Sequence, residues 1–315
     1  MDKIIERIER EAEAPGLVSI LAERISPTDL QSILLEVYRL RSSRLAPAAV
    51  LADFESNRFV RPSTVSPLAL LKWEQTAFSH LPPDFVPLAL SPVCPLGTNS
   101  GVAPVDQNWA VATARNSEVV SDSTNVLALE CARRRRELLR LNPKSGVPVH
   151  LAASHRLLRA QHYDNLDQIS HFSLFALCSA GRDQGSLRFE LAVLGLHIRF
   201  YLESLRAFTG PAVPLQVSLT DLASGAHHAR VEEQLFPAIR NEFESVDCSF
   251  DDQRTSGRGY YSGICFHIHA AAASGRRMEL VDGGCVDWTQ KYLSSAKERL
   301  VISGIGSERL CAEFG

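Results

Sequence analysis

Hydrophobic positions recur at helical spacing near the start of the chain. One apolar stripe covers residues 4–12 and ends at a Pro-Gly pair, and a second covers residues 30–37. Between them, Ser26 supplies a capping hydroxyl, Pro27 suits the first helical position and Asp29 places an acid in the first turn. We therefore predict helices up to about residue 44 and a proline-containing connection after them. Residues 1–66 would form an N-terminal helical extension and linker.

Residues 67–315 alternate between helical spacing and short apolar runs that are typical of strands. Helices are predicted at 68–80, 125–141 and 187–205, and strands at 85–93, 118–121, 147–159, 172–180, 217–219, 260–270, 278–281 and 300–302. Two of these runs flank a polar loop at 162–170, which is the pattern of a hairpin. Strands that return as hairpins, with the helices set apart, predict an α+β fold with an antiparallel or mixed β-sheet flanked by helices. The absence of a glycine-rich phosphate loop between an early strand and a helix argues against a Rossmann or P-loop unit.

Composition narrows the class of protein. The chain has 315 residues, of which 45% are hydrophobic and 22% are charged, as in a globular protein. Its net charge of −3 provides no overall attraction to nucleic acid or to a membrane surface. The seven cysteines include no Cys-x-x-Cys pair, which argues against a zinc site or a disulfide framework. The charged N-terminus has no signal pattern and no apolar run reaches about 18 residues, so we expect a cytoplasmic protein that does not span a membrane.

The last residues, 301–315, combine a strand-like run with a glycine-spaced turn and an arginine: VISGIGSERLCAEFG. Gly304 and Gly306 have no side chains that would block the approach of a ligand. Arg309 can present a planar, permanently charged fork to a phosphate. A β-turn that carries a surface arginine is the alternative interpretation of the same residues.

Two upstream segments carry polar groups at the ends of predicted elements. Asp122 and Thr124 stand at a helix start, where they act either as a cap or as acceptors for a substrate ammonium group. Arg159 and Gln161 end a predicted strand and share one of its faces. Arg159 is therefore either a surface hairpin arginine or a bidentate phosphate ligand.

Two glycine-containing segments near the C-terminus have both structural and functional interpretations. Alternation places Tyr260 on one face of a predicted strand and Tyr261 with Gly263 on the other. Paired aromatic residues are common in cores, and they also suit a pocket for a small planar or amino-acid ligand. Gly283 and Gly284, with acids on either side, indicate a tight turn or a place where the backbone meets a nucleotide.

Two other patterns are interpreted as structural. His267 and His269 share a strand face, but the pattern lacks a third metal ligand. The arginine run at 133–136 spreads over all sides of a helix, so we interpret it as solvated and paired with Glu130 and Glu137.

Taken in order, these segments resemble the catalytic core of class II aminoacyl-tRNA synthetases, and above all the histidyl enzymes. Residues 68–93, a helix and then a strand that ends at Pro92, look like the first motif, which forms the dimer in that family. The segment from Asp122 to Thr124 looks like the part that receives the amino group of the amino acid. Residues 158–161 look like the second motif, Phe-Arg-x-Glu, whose arginine contacts the α-phosphate of ATP.

The remaining segments resemble the same core in the same order. Residues 171–175 look like the returning strand of the second motif, and residues 260–266 are similar to the Tyr-Tyr-Thr-Gly-x-x-Phe segment of the histidine pocket. Residues 283–287 resemble Gly-Gly-Arg-Tyr-Asp. Residues 304–310 resemble the third motif, whose arginine binds the γ-phosphate end of ATP. The resemblance spans residues 68–310.

The chain also departs from the histidyl pattern. Ser256 stands where those enzymes carry an arginine, four residues before the first tyrosine. Cys285 and Val286 replace Arg-Tyr, and Gln161 replaces the glutamate of the second motif. No anticodon-binding domain follows the third motif in this sequence. The resemblance therefore implies a stand-alone paralogue with the ATP arginines kept and the histidine-reading groups changed.

The resemblance implies an ATP-dependent ligase that forms an aminoacyl-adenylate. Mg²⁺ would be bound through ATP, with no metal ligand assigned to the protein. The acyl group would pass to a small-molecule or carrier-protein acceptor in preference to tRNA, and the first motif implies a homodimer. Two alternatives stay open: a non-catalytic regulatory subunit like that of ATP phosphoribosyltransferase, and a paralogue that acts on tRNA.

The resemblance also implies a set of site residues. The catalytic residues would be Arg159 and Arg309. The ATP-binding residues would be Arg159, Gln161, Phe172, Gly283, Gly284, Gly306, Glu308 and Arg309. The amino-acid-binding residues would be Asp122, Thr124, Tyr260, Tyr261 and Gly263.

Overall fold

The computed structural model describes residues 2–161, 170–272 and 274–315. Its first helices are α1 (Asp2–Glu11), α2 (Leu17–Ser19), which continues into a π-helical turn (Ile20–Arg24), α3 (Pro27–Ser42) and α4 (Pro47–Ser56). As predicted, Ser26 caps α3, because its Oγ accepts the backbone N–H of Asp29 at 3.2 Å. The predicted connection contains α4, which begins at a proline. None of the residues in these four helices is buried.

Ten strands follow in the described part of the chain, and eight of them form one sheet. They are β1 (Phe85–Pro87), β2 (Val93–Pro95), β3 (Ser117–Val119), β4 (Val149–Leu158), β5 (His171–Arg182), β6 (Leu215–Asp221), β7 (Asp247–Phe250), β8 (Ile264–Ala271), β9 (Arg277–Val286) and β10 (Glu298–Gly306). The order in the large sheet is β1-β4-β5-β10-β9-β8-β6-β7, and β2 pairs with β3. The pairs β1–β4 and β6–β7 are parallel, and the other pairs are antiparallel.

Helices cover both faces of the large sheet. They are α5 (Pro67–Ser79), α6 (Ser123–Leu141), α7 (Arg188–Thr209), α8 (His228–Arg230) with a π-helical turn (Val231–Leu235), α9 (Phe236–Glu242), α10 (Trp288–Leu293) and α11 (Ser307–Phe314). One large apolar core contains Trp73 of α5 and Leu194 of α7, and a second contains Leu127 of α6 and Trp288 of α10. The predicted α+β fold with a mixed sheet is confirmed. None of the described helices is long and apolar enough to cross a membrane.

Two predictions of strand bounds are wrong. The strand expected at 85–93 is two short strands, β1 and β2, in different sheets. The strand expected at 260–270 begins only at Ile264, because Gly257, Gly259 and Gly263 have φ values of 76°, 83° and 79° and form turns. Tyr260 and Tyr261 therefore lie in a turn, and the assignment of the two side chains to opposite strand faces does not hold.

The glycines expected in tight turns lie within strands. Gly283 and Gly284 are in β9, and Gly304 is in β10. A Cβ atom at Gly283 would lie 2.5 Å from the Cβ of Ser303, and one at Gly284 would lie 2.6 Å from the Cβ of Cys265. These positions need glycine because neighbouring groups pack closely against the backbone, not because the chain turns there.

The arginine run on α6 is only partly solvated. Arg133 is exposed and paired with Glu130 and Glu137, as expected. Arg135 is fully buried, and its Nε donates to Glu298 of β10 at 2.8 Å. One arginine of the run is therefore a link between a helix and the sheet, which the helical pattern alone did not indicate.

Candidate functional site

A cavity of about 680 Å³ lies where β5, β9 and β10 meet the start of α6 and the helix α11. All of the site residues implied by the sequence line it except Gly263, Gly283 and Gly284. The residues concerned are Asp122, Thr124, Arg159, Gln161, Phe172, Tyr260, Tyr261, Gly306, Glu308 and Arg309. A volume of this size suits a small-molecule site, since ligand pockets span roughly 300–1,000 Å³.

The start of α6 brings a carboxylate to the cavity wall. Asp122 is the N-cap, and its Oδ1 accepts the backbone N–H and the hydroxyl of Thr124 at 2.9 and 2.8 Å. Its Oδ2 accepts a hydrogen bond from Nη2 of Arg159 at 3.1 Å. The capping interpretation of Asp122 is confirmed, and the same side chain also reaches Arg159.

Arg159 is held in place from two sides. The strand β4 ends at Leu158, so Arg159 lies just beyond it, and its Nε donates to the carbonyl oxygen of Ser121 at 2.9 Å. Its guanidinium carbon lies 5.1 Å from the ring centroid of Phe172, within the range of a cation–π contact. These contacts restrict the guanidinium group before any ligand arrives.

The two tyrosines form an aromatic corner of the cavity. Their rings meet edge to face with centroids 5.0 Å apart, and the Tyr260 ring packs in the same way on Trp288 at 5.3 Å. Burial raises the pKa of both phenols well above the usual value. Both side chains therefore stay neutral at physiological pH and provide hydroxyl groups within an apolar surface.

The start of α11 contributes the residues that resemble the third motif. Gly306 is the residue just before this helix. The Oε1 atom of Glu308 accepts a hydrogen bond from Nη2 of Arg156 at 2.7 Å. Nη1 of Arg309 donates to the backbone carbonyl oxygen of Glu279 at 3.0 Å. Arg309 and Arg159, which are far apart in the sequence, therefore line the same cavity.

A buried arginine near the cavity was not assigned from the sequence. Arg254 has a side chain that is 2% exposed, and its Nη2 donates to Oδ1 of Asp282 at 2.9 Å. Its guanidinium carbon lies 5.4 Å from the Tyr261 ring centroid. Burial raises the pKa of Asp282, and the Arg254 charge opposes that shift. The sequence signal was present, since Arg254 is two residues before Ser256, where the histidyl enzymes carry an arginine.

Further cavity residues come from segments that the sequence did not assign to the site. Glu279 and Asp282 belong to β9, whose extent was underestimated. Thr64 and Val65 come from the segment before α5. Arg58 fastens that segment to the second motif, because it donates to the carbonyl oxygens at positions 160 and 161 at 2.7 and 2.9 Å.

Comparisons with known proteins show which fold this arrangement belongs to. No family model matches the chain, and no curated protein matches it. Among solved structures, an ATP phosphoribosyltransferase regulatory subunit/histidyl-tRNA synthetase from Bacillus halodurans matches with a TM-score of 0.60 and 12% identity, over 82% of this chain and 82% of that one. Histidyl-tRNA synthetase from Nostoc matches with a TM-score of 0.60 and 12% identity, over 81% of this chain and 74% of that one.

A third solved structure was determined with a nucleotide. Seryl-tRNA synthetase from Pyrococcus horikoshii, complexed with ATP, matches with a TM-score of 0.51 and 13% identity, over 78% of this chain and 49% of that one. Identities this low establish the fold and leave the activity to be tested. The chain therefore has a class II aminoacyl-tRNA synthetase-like core, as its second- and third-motif segments implied.

Proposed function

We propose that this chain binds ATP and an amino acid in the cavity and joins them into an aminoacyl-adenylate. The observation that supports this proposal most directly is that Arg159 and Arg309 line one cavity. These arginines correspond to the ATP-binding arginines of the second and third motifs. The site would belong to a catalytic core over residues 67–315, with residues 1–66 as an extension.

In the proposed reaction, a carboxylate oxygen of the amino acid attacks the α-phosphorus of ATP. A new P–O bond forms while the bond to pyrophosphate breaks, and pyrophosphate leaves with that electron pair. Guanidinium groups that are already oriented stabilise the charge on the phosphate oxygens without reorganising during the reaction. The contacts of Arg159 with Ser121 and Phe172 favour this role.

Mg²⁺ would neutralise phosphate charge in this reaction, and the side chains at the cavity fit it. Glu308 and Glu313 line the cavity on the same helix as Arg309. Their carboxylate oxygens are ligands of the kind that Mg²⁺ takes alongside substrate phosphates.

The amino acid would lie at the aromatic corner of the cavity. Thr124 and Asp122 would accept hydrogen bonds from its ammonium group, and Tyr260 and Tyr261 would enclose its side chain. We further propose a homodimer, as the first-motif resemblance implies, and a small-molecule or carrier-protein acceptor in preference to tRNA.

One observation favours a second function, regulation through binding without turnover. Both carboxylate oxygens of Asp122 already accept hydrogen bonds, one set from Thr124 and one from Arg159. The carboxylate therefore has less capacity left for a substrate ammonium group. A site of this kind would bind a ligand and report its presence to a catalytic partner.

An ATP–pyrophosphate exchange screen across standard and non-standard amino acids tests the proposal. We expect exchange with at least one amino acid, and Arg309→Ala should abolish it. Arg133→Ala is the matched control, because Arg133 is an exposed arginine that does not line the cavity. No exchange with any amino acid, together with ATP binding that Arg309→Ala leaves unchanged, would contradict adenylate formation. Ligand binding without exchange would favour the regulatory function.

A further inference from the structure

A β-bulge places four potential metal-binding side chains on one side of two paired strands. His267 pairs with Asp282 and Ile268 pairs with Val281, but the next pair is His269 with Glu279. One extra residue of β9 therefore lies between Val281 and Glu279. In a regular strand, residues three apart point to opposite faces, but an inserted residue brings them to the same face.

Two of the resulting distances are those of neighbouring ligands around a cation. His267 Nε2 lies 3.5 Å from Oε2 of Glu279 and 3.4 Å from Oδ1 of Asp282. The potential ligand atoms of His267, His269 and Glu279 all lie within 4.8 Å of one another. Neighbouring ligand atoms of a tetrahedral zinc ion lie about 3.3–3.6 Å apart, given metal–ligand bonds of about 2.0–2.2 Å. The separations from His267 exceed the usual range of about 2.7–3.2 Å for an N–H···O hydrogen bond.

The two carboxylates of the cluster differ in their partners. Oδ1 of Asp282 already accepts a hydrogen bond from Nη2 of Arg254 at 2.9 Å. Glu279 therefore supplies the carboxylate ligand of the proposed site, and Asp282 lies beside it.

We propose that His267, His269 and Glu279 bind one divalent cation of the zinc class, with the Asp282 carboxylate beside His267. Two imidazole nitrogens and one carboxylate oxygen suit zinc, cobalt or ferrous iron, whereas magnesium takes oxygen ligands. Glu279 and Asp282 also line the cavity. A three-residue site leaves a coordination position for water or for a donor atom of a bound ligand.

Arg277 competes with the cation for one of these ligands. Its Nη2 donates to Nδ1 of His269 at 3.1 Å and to Oγ of Ser218 at 3.2 Å. An imidazole nitrogen that accepts this hydrogen bond cannot give the same electron pair to a metal. If Nε2 of His269 binds the metal instead, Nδ1 carries the proton of the neutral ring and cannot accept a hydrogen bond from Arg277. Metal binding therefore displaces the exposed Arg277 side chain, and Arg277→Ala should strengthen it.

Titration of the metal-free full-length protein with Co²⁺ and Zn²⁺ tests this site without requiring adenylate formation. We expect one ion per chain, seen as Co²⁺ visible absorption bands and as heat of Zn²⁺ binding. Millimolar Mg²⁺ should not displace either ion. Glu279→Gln and His269→Ala should each weaken binding at least tenfold, and Arg277→Ala should tighten it.

His80→Ala is the control, because His80 Nδ1 donates locally to the carbonyl oxygen of Thr76 in α5 and His80 lies outside the cluster. Glu279 is exposed, so Glu279→Gln tests the site even if a histidine variant fails to fold. No binding at micromolar Zn²⁺ or Co²⁺ would overturn the proposal. Binding that survives Glu279→Gln and His269→Ala would overturn it too. A strong thiolate–cobalt band would do the same, since it would assign the metal to cysteines.

Discussion

Replacing Glu298 with glutamine tests the buried ion pair that joins α6 to β10. Arg135 and Glu298 have fully buried side chains, and Arg135 donates from Nε and Nη2 to the two carboxylate oxygens at 2.8 and 2.9 Å. Arg135 also donates to the carbonyl oxygens of Val147 and Ser145. Glu298→Gln keeps the side-chain volume but leaves a buried guanidinium group without its counter-charge. We expect it to lower the free energy of unfolding by about 3–5 kcal/mol.

Urea unfolding followed by circular dichroism measures this loss as a lower midpoint at an unchanged slope. Glu36→Gln is the control, because Glu36 pairs with Arg39 on an exposed face of α3 and should leave the midpoint unchanged. The double replacement Arg135→Met with Glu298→Leu should recover much of the stability, since apolar side chains of similar volume need no counter-charge. The reasoning is refuted if Glu298→Gln moves the midpoint no further than Glu36→Gln does.

Three further predictions follow from packing, anchoring and burial. Gly284→Ala would place a methyl group 2.6 Å from the Cβ of Cys265 in β8. It should lower the free energy of unfolding, measured by thermal unfolding, by about 1–3 kcal/mol. Gly146→Ala is the control, because its methyl group enters open space and should leave the stability unchanged. Arg58→Ala removes the hydrogen bonds that fasten the segment before α5, so limited proteolysis at residues 57–66 should become faster. Arg61→Ala is the control and should change the rate of cleavage little. Burial lowers the pKa of His197 to about 3. The unfolded chain takes up a proton near pH 6.5 that the native state excludes, so stability should fall as the pH drops from about 6.5 toward 3, by at most about 1.4 kcal/mol per pH unit. His197→Gln should flatten this dependence in denaturation curves, and an unchanged curve would contradict it.

Hydrophobic spacing alone predicted the long elements of the fold. The helices α6 and α7 and the β4–β5 hairpin were all expected near their observed positions. These elements are long and strongly periodic, so one face of each is determined by local sequence. Their order along the chain, together with the motif resemblance, was enough to predict the class II synthetase-like core.

Features that depend on contacts between distant segments were not predictable in the same way. The residues next to Arg135 in the sequence are those of an exposed helix face, so its burial could not be predicted from them. Its burial is explained by the ion pair with Glu298 on another element. Gly283 resembles a turn residue locally, but its lack of a side chain is required by the neighbouring strand. The sequence pattern of His267 and His269 shows no third ligand, because Glu279 lies on the next strand in a shifted register.

The extra residue in β9 means that the spacing of acids along the chain does not by itself reveal which of them share a face. Leu280 is buried and coordinates nothing, yet it separates Val281 from Glu279 in the pairing with β8. Deleting it would restore continuous pairing and leave Glu279 opposite His269, two positions from Asp282 and on the same face of the sheet. The bulge therefore allows two acids that are three residues apart to lie on one face. A related chain could form the same cluster with its two acids two residues apart in a regular strand, so the cluster has to be recognised from the pairing of the strands.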